Sequence, residues 1–230
     1  MFRSLLLIAL ALLLHLSTLQ AQMSVVWEPD ISMSGGLGGQ WSWNTKFVTR
    51  VALGQPDGQH HPDAGRVLLA EAQGYVNRRL IGGRRITLGL LFGIENPLDE
   101  AKAEKRIIWQ YSFRSQAGSI SLLHRARIEQ RFFEESFQHR IRYRMIADKP
   151  LQGEKLDAGE WYLFAGTELL LSSNEHFRKF RIDNRTGIGA GFLFANEHRL
   201  QFELQHRAQR MFDKSYASRL WLITSWIIPF

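Results

Sequence analysis

Cysteine is absent from the 230-residue chain. That absence excludes disulfides and thiol chemistry. With no cysteine behind the first apolar run, a lipoprotein anchor is excluded as well. Long apolar runs are also missing. After Leu14 no stretch of about 18 consecutive apolar residues occurs, so no transmembrane helix is expected beyond that point. There is no nucleophile elbow of the kind that carries a catalytic serine. Two glycine-rich stretches exist, Gly35-Gly36-Leu37-Gly38-Gly39 and Gly187/Gly189/Gly191, but neither precedes a helix pattern. Phosphate-binding loops and dinucleotide fingerprints both need one. The only histidine cluster, His60-His61 with Asp57 and Asp63, sits in a Pro/Gly loop without the spacing of a metal site. No metal and no cofactor are therefore expected.

The first residues read as a leader. Arg3 supplies a short positive start, and Leu5 to Leu14 an apolar run. Thr18-Leu19-Gln20-Ala21 then offers a small residue before the cut, although Leu19 is a poor −3 residue. Residues 1–21 are expected to be a secretory signal peptide, leaving 22–230 as one domain. The run is too short for a helical anchor, which needs about 20 residues. Lysine and arginine number 29 against 22 acidic residues, a formal charge of +7. A basic soluble protein would point to nucleic acid or an anionic surface. Nucleic-acid surfaces interleave aromatics with basic residues on one face, and here the two segregate.

That segregation is the dominant pattern. In a strand, side chains alternate between two faces. From about Glu104 to Met145, one face collects Arg106, Gln110, Ser112, Arg114, Arg125, Arg127, Glu129, Arg131, Gln138, Arg140, Arg142 and Arg144. The other collects Ile107, Trp109, Tyr111, Phe113, Leu122, Ala126, Ile128, Phe132, Phe137, Ile141, Tyr143 and Met145. Lipid outside and a wet, charged lumen inside explain both faces at once. The expected fold is all-β: a single antiparallel transmembrane β-barrel of the outer-membrane type, with about 10–12 strands.

The rest of the chain repeats the theme. Trp41, Trp43, Phe47 and Val51 share one face, and Asn44, Lys46 and Arg50 the other. Residues 66–80 alternate most weakly. Ile86, Leu88, Leu90, Phe92 and Ile94 oppose Thr87, Gly89, Gly93 and Glu95, and glycine at lumen positions leaves room for long side chains opposite. Trp161, Leu163 and Leu169 oppose Glu160, Tyr162 and Glu168. Arg181, Asp183, Arg185, Gly187, Gly189 and Gly191 share a polar face. Leu200 to Arg207 alternates cleanly, and the last strand spans Tyr216 to Phe230. Short turns at 38–40, 81–84, 117–119 and 195–198 alternate with longer loops, as in outer-membrane barrels. Asp148 to Gly159 is long where a short turn is due. Bacterial barrels close on an even number of strands. If Ile31–Leu37 is a strand, a further partner around Met23–Trp27 is therefore expected.

Four features resemble a known family, the outer-membrane barrel family catalogued as domain of unknown function 2490. They are the run His124-Arg125-Ala126-Arg127-Ile128-Glu129-Gln130-Arg131-Phe132, the run Arg140-Ile141-Arg142-Tyr143-Arg144, the early Trp27 with the Trp41-Ser42 turn exit, and the Arg/Glu pattern that continues to the final strand. The resemblance covers about Trp27 to Phe230. It implies an outer-membrane barrel and hands over no catalytic residues. The ending Trp226, Ile228 and Phe230 is similar to the signal read by the barrel-assembly machinery, with Pro229 as a departure.

The candidate site is an arginine ladder: Arg106, Arg114, Arg125, Arg127, Arg131, Arg140, Arg142, Arg144, Arg181 and Arg185. The candidate lumen carboxylates are Glu95, Glu129, Glu160, Glu168, Asp183 and Glu203. A packed structural network is one reading, since small barrels fill their interiors. A narrow anion-preferring channel is the second, since rings of arginine favour anions. A membrane-embedded lipid hydrolase is the third and is disfavoured: His124, His139 and His206 fall on the lipid-facing parity, away from Ser112. The chain is expected to be non-enzymatic and to reside in the cell outer membrane. Its expected partners are outer-membrane lipid and, during insertion, the assembly machinery. No nucleic acid or small-molecule ligand is implied, and the oligomeric state stays open.

Overall fold

The structure, a computed structural model, describes residues 24–54, 64–174 and 179–230. The expected leader at 1–21 and the His60-His61 cluster with Asp57 and Asp63 lie outside them. Eleven strands follow one another: β1 (Ser24–Gly38), β2 (Trp41–Gly54), β3 (Val67–Arg79), β4 (Arg85–Glu95), β5 (Lys102–Ala117), β6 (Ile120–Phe132), β7 (Phe137–Pro150), β8 (Trp161–Asn174), β9 (Phe180–Leu193), β10 (Arg199–Gln209) and β11 (Ala217–Pro229). They form one closed barrel in sequence order. Consecutive strands pair antiparallel, as two-residue and other tight turns allow. No helix among the described residues is long and apolar enough to cross a membrane.

Closure departs from the expectation of an even, wholly antiparallel set. β1 and β11 run in the same direction and pair from Ser24↔Arg219 to Ser34↔Pro229. Ile31–Leu37 is indeed strand, but Val25–Trp27 extends that same strand and supplies no partner before it. An odd count leaves the first and last strands pointing the same way, so the seam must be parallel. Side chains tie it on both faces. Outside, Trp27 Nε1 donates to Thr224 Oγ1 at 3.2 Å. Inside, Ser225 Oγ donates to Asp30 Oδ2 at 2.7 Å. Lys46 Nζ reaches the same oxygen from β2 at 2.9 Å.

The turns use the glycines that the backbone requires. Gly38 and Gly39 have φ of 94° and 56°, and Gly82 and Gly83 have φ of 72° and 70°. These left-handed values exact no steric cost from glycine. They sit at the short-turn rim, with the 118–119 and 194–198 turns and the longer 151–160 connection. The opposite rim carries the connections at 96–101, 133–136 and 210–216.

Alternation is carried through in burial. On β4, Thr87, Gly89, Leu91 and Gly93 are buried while Ile86, Leu88, Leu90 and Phe92 are exposed. β3 alternates weakly in sequence because three of its outward positions hold the small residues Ala70, Ala72 and Gly74. The buried apolar cluster is small, comprising Val26, Trp221 and Ile223 with Leu68 packed on it. Elsewhere the interior mixes buried polar and charged side chains with buried apolar ones such as Leu91, Ile108, Phe164 and Leu170. Lumen glycines do make room for bulky neighbours. A Cβ on Gly89 would strike the Tyr75 ring, and one on Gly191 the Tyr162 ring. At Gly189 it would meet both the Phe164 ring and the backbone oxygen of Phe202. Backbone cannot swing aside as a ring can. Gly189→Ala is therefore expected to destabilise the barrel by about 1–3 kcal/mol. Chemical unfolding of the refolded protein measures it, and an unchanged midpoint would contradict this packing.

Candidate functional site

The lumen is organised by three buried carboxylates, each shared among arginines from neighbouring strands. Glu104 on β5 accepts Arg106 Nε at 2.5 Å and Nη2 at 2.6 Å. It also accepts Arg131 Nη2 at 2.9 Å, and Arg131 Nε as well. Glu129 on β6 has no exposed surface. It accepts Arg142 Nη1 at 2.7 Å, with Arg127 Nη1 at 3.5 Å and Arg140 Nη1 at 3.8 Å. Glu168 on β8 accepts two bonds from Arg142 Nη2, at 2.9 and 2.8 Å. Arg142 thus bridges Glu129 and Glu168, joining β6, β7 and β8. Such charge-assisted contacts are the strong class of hydrogen bond. Gln110 and Ser172 complete the lattice: Arg127 Nη2 donates to Gln110 Oε1 at 2.7 Å and Arg140 Nε to Ser172 Oγ at 2.9 Å.

A second cluster lies by the seam. Glu28 on β1 accepts Arg50 Nε at 2.7 Å and Arg207 Nη2 at 3.1 Å. The Arg207 guanidinium lies 3.5 Å over the Trp221 ring, and Arg50 lies 5.2 Å from the same ring. Cations over an indole face are attracted by its quadrupole.

The register aligns further arginines into one row across the wall. Arg79 faces Arg85, which faces Ser112, and Ser112 faces Arg125. Arg125 faces Arg144, which faces Glu168, which faces Arg185. Arg185 faces Arg207, which faces Arg219. A single carboxylate sits in a row of seven arginines. Beside it runs a cavity of about 960 Å³. Its lining includes Glu95, Asn96 and Gln209 from the long-loop rim, and Arg79, Arg85 and Pro229 from the short-turn rim. Fifteen lysine and arginine side chains line it against six carboxylates.

Of the ladder predicted from sequence, Arg106, Arg125, Arg127, Arg131, Arg140, Arg142, Arg144, Arg181 and Arg185 all line this cavity. Arg114 stands apart. Its side chain is 54% exposed and pairs with Asp148 at 3.1 Å beside the 118–119 turn. Among the carboxylates, Glu168 is fully engaged, while Glu129 is engaged through Oε1; its buried Oε2 accepts no hydrogen bond among the described residues, lying 3.8 Å from Arg140 Nη1. Asp183 pairs with Arg181 at 3.3 Å and Glu203 with Arg144 at 3.6 Å. Glu95 is exposed at the rim. Glu160 is not a lumen residue: it precedes β8 in the 151–160 connection and accepts the Asp157 N–H at 3.1 Å. Sequence reasoning missed Glu28, Asp30, Glu71 and Glu104, all buried. It also missed Arg50, Arg207 and Arg219 as members of the site. Each follows the inward parity of its strand, which was the available signal.

The outward face carries many of the aromatics, such as Trp109, Tyr143 and Phe202, and two Ser–His contacts. His206 Nε2 lies 2.7 Å from Ser218 Oγ. His124 Nε2 lies 3.4 Å from Ser115 Oγ, with Nδ1 2.9 Å from the Tyr143 hydroxyl. Among the described residues neither histidine meets a carboxylate, and an orienting acid is what turns such a pair into a nucleophile and base. Trp226 points outward and is exposed, and Phe230 stacks on Trp43 with centroids 6.4 Å apart. The Phe230 N–H donates to Ser34 O at 2.6 Å, one residue beyond the N–H that Pro229 lacks.

The fold and its interior define a closed β-barrel with a charged lumen and an apolar outer belt. The chain belongs to the family described as protein of unknown function DUF2490, whose model matches residues 27–217. No curated protein and no solved structure matches it.

Proposed function

We propose that this protein is a non-enzymatic outer-membrane barrel whose lumen is a narrow, anion-preferring passage. The observation that carries the reading is the cavity lined from one rim to the other, with fifteen cationic side chains against six lining carboxylates and the three buried behind them, Glu104, Glu129 and Glu168. Rings of arginine favour anions in pores. The membrane setting is supported by the outward belt. Leu90 is 63% exposed, and Trp109, Ile128, Ile141, Leu169, Ile188 and Phe202 are also large, apolar and exposed. Water-soluble monomers rarely expose contiguous apolar patches beyond a few hundred Å². In this reading residues 1–21 direct export, and Trp226, Ile228 and Phe230 form the end read by the assembly machinery.

A second reading, a lumen closed by its own ion pairs, is favoured by the Arg142 bridge between Glu129 and Glu168. Conductance decides between them. Refolded protein in a planar lipid bilayer is expected to give steady, anion-preferring openings. Arg125→Ala and Arg144→Ala should each reduce that preference, because neither guanidinium is held by a hydrogen bond among the described residues. A silent bilayer would remove the passage and leave the structural plug.

A further inference from the structure

We propose that Arg125, Arg144 and Arg185, gathered about Glu168 in the lumen, form a binding site for an anion that carries two or more phosphoryl groups. The proposal rests on the water-filled lumen of the preceding reading, though not on ions passing through it.

The geometry begins with Glu168. Arg142 already satisfies both of its oxygens, at 2.9 and 2.8 Å. Arg185 Nη1 and Arg125 Nη2 approach the same carboxylate only at 3.5 and 3.8 Å. Arg144 Nη2 lies 3.6 Å from Glu203. Two carboxylates, Glu168 and Glu203, face four guanidinium groups, those of Arg125, Arg142, Arg144 and Arg185, and among the described residues Arg125, Arg144 and Arg185 donate no hydrogen bond. Their side chains keep 22%, 23% and 21% of their surface, facing the cavity. These forks are therefore accessible and held only by long ion contacts, in contrast to Arg142, Arg131 and Arg106, which are locked in the lattice by hydrogen bonds.

The class of ligand follows from charge and shape. Neighbouring strands lie about 4.8 Å apart, so guanidinium groups on β6, β7 and β9 form a short row with Glu168 between the last two. A guanidinium fork matches carboxylate and phosphate equally in plane. A phosphoryl group carries more charge and three acceptor oxygens, so one group can engage forks from two strands. A carboxylate has two acceptor oxygens and a single charge, so it offers less to a row of three forks. Two linked phosphoryl groups then occupy the row with a single loss of translational freedom, the advantage of multivalent attachment.

The test is titration calorimetry of the refolded full barrel with sodium tripolyphosphate, against citrate and sodium chloride, at constant ionic strength. Tripolyphosphate is expected to bind at least tenfold more tightly than citrate. The double substitution Arg125→Ala/Arg185→Ala should weaken it at least tenfold, and Arg114→Ala, which changes a rim arginine outside the cavity, should not. Should the double variant fail to fold, judged by heat-modifiable gel migration, Arg144→Lys serves instead. It keeps the charge but loses the fork, and should still weaken binding severalfold. Equal affinity for citrate, or binding unchanged by these substitutions, would overturn the site. Binding in a barrel that passes no current would reject the passage and keep the site. Current without binding would reject the site and keep the passage.

Discussion

Replacing Glu129 by alanine is expected to cost about 3–5 kcal/mol of folding stability, the range for removing one partner of a buried ion pair. Glu129 has no exposed surface and is the shared counter-charge of Arg127, Arg140 and Arg142. Its loss leaves three guanidinium groups facing one another, and the bridge through Arg142 retains only its Glu168 end. The comparison is Glu95→Ala, at an exposed rim position where substitutions usually change stability by no more than about 0.5 kcal/mol. Unfolding of both variants from vesicles, followed by tryptophan fluorescence and by gel migration, reads the difference. Equal stabilities would mean that lumen water screens the lattice and that it carries none of the fold.

The second large effect is expected on the other face. Leu90 lies midway along β4 and points outward. If the belt contacts hydrocarbon, Leu90→Arg should lower the stability of the inserted barrel by about 2–4 kcal/mol, the cost of arginine near the bilayer midplane. Leu90→Ala, which removes area without adding charge, separates that cost from lost packing. In a barrel surrounded by water, Leu90→Arg would be neutral or would raise solubility. That result would refute the membrane reading directly, whatever the lumen does.

Much of this architecture is legible from alternation alone, because a strand with an apolar face on one side and charge on the other writes its two faces into every second residue. Arg125, Arg127, Glu129, Arg140, Arg142 and Arg144 could be placed in the lumen before any coordinates. The failures are physical too. Glu104 shares the parity of Arg106 but sits where loop gives way to strand. Glu71 was obscured because small outward residues flatten the contrast on β3. Glu28 and Asp30 flank Pro29, which disguises the strand. Glu160 has the parity of Tyr162 but precedes the strand. Most consequentially, alternation carries no information on strand direction. The parallel seam follows from how many strands there are, and one weak strand at the start decides that count.

The same seam governs how the polypeptide must be delivered. β1 begins at Ser24 on the rim of the longer loops, and β11 ends on the rim of the tight turns. Across a bilayer, those two ends look into different compartments. An even-stranded barrel can be lowered into the membrane as a set of hairpins, with both ends left behind on the side of entry. Here one strand has no hairpin partner of its own. If the barrel spans a bilayer, then whichever side the strands arrive from, the free end of β1 or of β11 must be carried through the hydrocarbon layer before the cylinder can close.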